Sequence, residues 1–111
     1  MIKQDILENP VNICYLAIGS NLGNKISNIK KAKTLIETFP IKIISSSSYY
    51  LTPSWPNFND PQFTNIVIKA KTNLKINILF AILKKIEKKL GRKKSIKNSP
   101  RTCDIDIIDF K

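Results

Sequence analysis

The chain has 111 residues, 19 basic side chains against 8 acidic ones, a formal charge of +11, and no histidine. That length supports one hydrophobic core rather than two, and the missing histidine removes Ser-His-Asp and Cys-His catalysis, together with most catalytic zinc sites, from this chain. With 42% hydrophobic and 24% charged residues the composition is that of an ordinary globular domain. Apolar runs such as Ile66-Val67-Ile68 fall far short of the roughly 20 residues a membrane span needs. The opening MIKQDILENP has neither an apolar h-region nor a small-residue cleavage site, so the cytoplasm is the expected compartment. Cys14 and Cys103 are too few for a disulfide framework or a four-ligand metal knot and are read as small apolar residues. The positive charge has two readings. One is a polyanionic partner. The other, given more weight, is compositional bias, because 17 of the 19 basic residues are lysine. Arg92 and Arg101 then stand out, since the guanidinium fork grips phosphate as an ammonium does not.

Residues 1–12 read as an arm, with Pro10 as a boundary and the domain running from 13 to 111. Ile13 to Ile18 is a short run of strand formers followed by the turn-like GSNLGNK, which predicts a buried strand. From Ile26 to Phe39 apolar residues recur at spacings of three and four, predicting a helix capped by Asn24 or Ser27 and ended by Pro40. Ile41 to Leu51 reads as a strand, and Thr52 to Gln62, with three prolines, as a long loop of the kind that often carries function. Phe63 to Lys71 is a further strand whose apolar alternation is loose. Leu74 to Leu90 is a helix with Leu79, Ile82, Leu83, Ile86 and Leu90 on one stripe and Gly91 as its C′ residue. A basic loop follows, Arg92 to Pro100, and CDIDIIDF closes the chain as a strand. The order β-α-β-β-α-β predicts an α+β fold of the ferredoxin-like split type: an antiparallel sheet with both helices packed on one face.

Three of the eight acidic residues fall between Asp104 and Asp109. Asp104 and Asp106, at i and i+2 on a strand, point to the same face with Cα atoms roughly 6.5–7 Å apart. Two like charges so placed either face solvent beside lysines or share a cation. Magnesium suits the second case, because it takes one or two carboxylates and completes its octahedron with water and substrate phosphates. Arg101 lies three residues before Asp104 and Arg92 opens the same loop, so a phosphate clamp would sit beside the carboxylates, as phosphoryl transfer requires. The turn Gly19 to Lys25 fails the Walker pattern by spacing, since only three residues separate its glycines and Asn24 precedes Lys25. Tyr49, Tyr50, Trp55, Phe58 and Phe63 gather around the long loop, where they either stack a planar ring or anchor the loop. Asn65 could hydrogen-bond ring edges as donor and acceptor.

YLAIGSNLGN at Tyr15–Asn24, SSSYYLTPSWP at Ser46–Pro56, FTN at Phe63–Asn65 and EKKLGRKKSIKNSPRTCDID at Glu87–Asp106 occur in order. Together they closely resemble the 6-hydroxymethyl-7,8-dihydropterin pyrophosphokinase family of folate biosynthesis, over roughly residues 13–110. The resemblance implies a ferredoxin-like sandwich and transfer of the β,γ-diphosphate of ATP to the hydroxymethyl oxygen of the dihydropterin, releasing AMP, with two magnesium ions bridging the triphosphate. By position it implies that Asp104 and Asp106 bind metal and that Arg92 and Arg101 handle phosphate. It places Glu87 and Lys94 with the nucleotide, Lys94 where an arginine is often found. Thr52, Pro53, Phe63 and Asn65 fall in the pterin pocket, and Ser20 and Asn21 in the turn beside it. Asp106 is the implied helper in deprotonating the hydroxyl. The loops at 19–25, 52–62 and 92–100 are expected to close over the substrates and exclude water. Family members usually continue several tens of residues past the aspartate strand, so a partner is expected over that edge. Nucleic acid and membrane are not expected partners. The competing readings are a catalytically inactive nucleotide-binding relative and a small basic RNA-binding module on the same plan.

Overall fold

The computed structural model describes residues 10–56, 58–91 and 101–111. The expected arm and the basic loop of Arg92 and Lys94 lie outside these residues, apart from 10–12 of the arm. The described elements are β1 (Asn12–Ser20), α1 (Lys25–Ile36), β2 (Ile41–Ser46), β3 (Tyr50–Thr52), β4 (Phe63–Thr72), α2 (Ile76–Lys89) and β5 (Asp104–Phe110). The sheet runs β2-β4-β1-β5, every pairing is antiparallel, and β3 adds to the end of β4. Consecutive elements skip a neighbour in this order, which is the split β-α-β plan expected from the sequence.

Period-two alternation decides which face of the sheet becomes the core. Cys14, Leu16 and Ile18 of β1, Ile66, Ile68 and Ala70 of β4, and Ile105 of β5 are buried together beneath Ile29, Ala32 and Ile36 of α1 and Leu79, Leu83 and Ile86 of α2. The Cys14 thiol is pushed up by this burial; both cysteines are buried and unbridged, as a small-apolar reading of them requires. The alternation of β4 is stricter than its hydropathy implies, because Thr64 and Thr72 also turn to the core side. Thr72 meets the cost of a buried hydroxyl by donating to the Pro40 carbonyl at 2.7 Å.

Several boundaries differ from expectation, and β1, running Asn12–Ser20, takes Gly19 and Ser20 out of the expected turn. The Ile41–Leu51 strand is two pieces, because its serines offer the backbone other partners: the Val67 amide bonds Ser47 Oγ at 2.9 Å while the Ser47 amide donates to the Val67 carbonyl. Helix α1 ends at Ile36 rather than Phe39, since Pro40 disfavours helical geometry in the residue before it, and Thr38 Oγ1 instead caps the Leu35 carbonyl at 2.6 Å. Its N-cap is Asn24, whose side chain accepts the Ser27 amide. Helix α2 starts at Ile76, two residues late, because the Leu74 amide turns back to Thr72 Oγ1. Its end is as expected, with Gly91 in the left-handed region at φ 104°. No helix among the described residues is long and apolar enough to cross a membrane.

Candidate active site

The sheet face away from the core is shaped by its smallest residues. Gly19 pairs with Asn65 on β4 and with Asp104 on β5, while Ala17 pairs with Val67 and Asp106. Tyr50 of β3 continues the first row on the far side of Asn65. A row Tyr50–Asn65–Gly19–Asp104 thus crosses four strands, with a residue lacking a side chain at its centre. A Cβ on Gly19 would sit 2.7 Å from Asn65 Oδ1 and 3.3 Å from the Phe63 ring. Glycine is required here by close approach, since its neighbours occupy the space a side chain would take.

Over this floor opens a cavity of about 300 Å³, lined by Ala17, Gly19, Thr52, Pro53, Ser54, Trp55, Phe63, Asn65, Arg101, Asp104 and Asp106. One wall is built by β3, β4 and the loop between them. The Asn65 amide nitrogen donates to Thr52 Oγ1 at 3.0 Å, which holds its oxygen toward Gly19. Phe63 lies two residues before Asn65 and lines the same wall. The opposite wall is β5 and its approach. Arg101 Nη1 donates to Asp104 Oδ2 at 3.2 Å, in a pair whose side chains are 22% and 21% exposed. Asp104 and Asp106 face the cavity together, as i and i+2 on a strand must. They are hard oxygen donors on one face. Among the described residues no third His, Cys, Asp or Glu joins them, a donor set that suits magnesium finishing its shell with water and phosphate better than a cage of protein ligands.

Of the residues expected at the site, Thr52, Pro53, Phe63, Asn65, Arg101, Asp104 and Asp106 meet in one cavity. Glu87, expected beside the nucleotide, does not line this cavity and lies where α2 meets β5. It is 2% exposed, and its carboxylate accepts the Ile105 amide at 2.6 Å and the Lys84 ammonium at 3.3 Å. Beside β1, the remaining edge of β5 has no strand neighbour among the described residues, so α2 supplies the acceptor that a strand would have supplied. Glu87 therefore fastens the strand that carries both aspartates. Glu87→Ala should cost about 2–3 kcal/mol by leaving a buried amide unpaired, and Glu87→Gln, which keeps an acceptor oxygen, should cost less than half as much. Urea denaturation of both variants checks this.

Sequence reasoning did not single out Ala17, Gly19 or Ser54 as site residues, and it left Trp55 undecided between ring stacking and loop anchoring. Trp55 lines the cavity while 71% exposed; Tyr49, Tyr50 and Phe58 do not line it. The turn expected to lie beside the site is stitched by side chains. Asn28 Nδ2 donates to Ser20 Oγ at 3.2 Å and to the Leu22 carbonyl at 2.8 Å, and Lys25 Nζ reaches the Gln62 carbonyl at 2.7 Å.

Comparison with known proteins agrees with this architecture. The family model described as 7,8-dihydro-6-hydroxymethylpterin-pyrophosphokinase (HPPK) matches residues 15–111. The chain belongs to the HPPK family. It is 43% identical over 97 residues to the 2-amino-4-hydroxy-6-hydroxymethyldihydropteridine pyrophosphokinase of Aquifex aeolicus, covering 87% of this chain and 60% of that protein. The enzyme of the same name from Bacillus subtilis is 33% identical over 100 residues, covering 89% and 60% respectively. A folate synthesis bifunctional protein of Arabidopsis thaliana is 37% identical over 96 residues, which is 86% of this chain and 20% of that protein. The chain thus spans about three-fifths of the length of these bacterial HPPK relatives. Among solved structures, an unknown protein from Galdieria sulphuraria shares the fold, with a TM-score of 0.55 and 10% identity over 96% of this chain and 51% of that one.

Proposed function

We propose that the chain transfers diphosphate from ATP to 6-hydroxymethyl-7,8-dihydropterin, giving the pterin diphosphate and AMP, in folate biosynthesis. The observation that carries this reading is one cavity with Thr52, Phe63 and Asn65 on one wall and Arg101, Asp104 and Asp106 on the other, with β1 between them at Gly19 and Ala17. Membership of the HPPK family supports it.

On the first wall, Thr52 and Asn65 offer hydrogen-bonding groups to the edge of the pterin, and Phe63 and Trp55 offer apolar faces to its plane. On the second, Arg101 holds the transferring phosphates and offsets charge that builds on their oxygens. Asp104 and Asp106 would hold magnesium, two ions with ATP as co-substrate, which when bound supplies neutralisation of the triphosphate and a template for its alignment. The hydroxymethyl oxygen, seated over the Gly19–Ala17 floor, attacks the β-phosphorus in line. A new O–P bond forms, the bond between that phosphorus and the oxygen bridging to the α-phosphate breaks, and AMP leaves with that oxygen. The hydroxyl proton passes to the Asp106 carboxylate. No histidine is needed, because positioning and charge compensation account for most of the barrier reduction in phosphoryl transfer. Arg92 and Lys94, outside the described residues, add positive charge beside the nucleotide in this reading.

The test is a product assay. The chain with ATP, magnesium and the dihydropterin should release AMP and pterin diphosphate in equal amounts. Release of ADP, or no turnover together with salt-sensitive RNA binding indifferent to magnesium, would overturn the reading.

A further inference from the structure

We infer that Asn21 is a positioning residue that fastens the two walls of the cavity to each other through one buried amide. The inference rests on the function proposed above for its catalytic consequences, and on geometry alone for the fastening itself.

Asn21 sits just past the end of β1 and is 1% exposed. Its amide nitrogen donates to Ser54 Oγ at 3.0 Å and to the Pro61 carbonyl at 3.2 Å. Its amide oxygen accepts the Arg101 backbone N–H at 2.7 Å, and its own backbone N–H returns to the Arg101 carbonyl at 3.1 Å. These partners lie 33, 40 and 80 residues away in sequence. Ser54 Oγ also donates to the Pro61 carbonyl at 3.2 Å, so the two ends of the 54–61 loop close on each other at the same point.

The chemistry asks for asparagine. Two donors must point at the loop and one acceptor at Arg101, which a single primary amide supplies. Aspartate keeps the acceptor and loses both donors. Alanine removes both donors to the loop and leaves the part-buried Arg101 amide without its acceptor, a costly loss. Ser54 stands between Pro53 and Trp55, both of which line the first wall, and Arg101 holds Asp104 on the second. Asn21 does not line the cavity, and it acts through Ser54 and Arg101. Reaction rates fall steeply with ångström-scale misplacement of positioned groups, so loosening this joint should move the two substrates separately.

Asn21→Asp, which keeps the acceptor toward Arg101, loses both donors toward the loop and sets a carboxylate against the Pro61 carbonyl, should raise KM for the pterin about tenfold and leave KM for ATP within twofold. Ser54→Ala should act in the same direction, and the double variant should fall short of the sum of the two, because the Asn21–Ser54 bond is common to both. Asn21→Ala should also lower kcat, by about 100-fold. The single tryptophan, Trp55, gives a readout that needs no turnover. Its fluorescence anisotropy should fall in Asn21→Asp and in Ser54→Ala with the chain still folded. Equal changes in both KM values, tracking thermal stability, would overturn the inference, as would unchanged Trp55 anisotropy. A wild-type chain that released no AMP would overturn the proposed function, and the anisotropy comparison would then decide the fastening by itself.

Discussion

Asp106→Asn should lower kcat by about 1000-fold and raise the magnesium concentration needed for half-maximal rate at least tenfold, with little change in fold. The size follows from the role. In the proposed mechanism Asp106 would help hold the cation that neutralises the transferring phosphates, and removing one contact of that kind costs a factor of roughly 100–1000. In that mechanism the same residue also takes the hydroxyl proton, so the expected loss lies at the upper end. Asparagine keeps the volume and removes the charge and the basicity. Asp106 is exposed on an edge strand, so stability should change by no more than about 0.5 kcal/mol. Asp104→Asn should resemble it in magnesium dependence. It should also release Arg101, whose guanidinium lies 3.2 Å from the Asp104 carboxylate, and so combine two defects. Steady-state rates across a magnesium titration measure both variants.

Arg101→Ala should lower kcat by about 100-fold or more, and Arg101→Lys should recover part of this while remaining about tenfold below the wild type. Lysine keeps the charge but cannot present two parallel N–H groups to a phosphate. The structural cost should be small. The side chain's ion pair with Asp104 is part-exposed and contributes at most about 1 kcal/mol, and the contacts of residue 101 with Asn21 run through its backbone. A kcat deficit without a matching fall in melting temperature checks that the guanidinium acts on the reaction.

The periodicities carried most of the architecture. Apolar residues at three and four in α1, the α2 stripe, and the isoleucines of β4 and β5 each state a face, and those faces make the core. Asp104 and Asp106 were legible because the strand period puts i and i+2 on one side, and because two acids in a basic chain need a reason. Boundaries were harder where side chains compete with the backbone, as Ser47 does for Val67 and Thr72 does for Leu74. The anchoring contact of Glu87 was hidden for a similar reason. Its position in the chain sits close to the nucleotide residues of the family, whereas its environment is set by an edge-strand amide 18 residues away, which no local pattern announces. Gly19 and Asn21 act by contacts made across strands and across a loop of the Pro-rich type. From sequence they could be placed in a turn beside the pocket, but not given these partners.

The most direct measurement is calorimetry of a non-hydrolysable ATP analogue binding to the wild-type chain and to the Asp104→Asn/Asp106→Asn double variant, each with and without magnesium. Binding should require magnesium in the wild type and be at least tenfold weaker in the double variant. Nucleotide binding that ignores both the metal and the two substitutions would contradict the proposed mechanism.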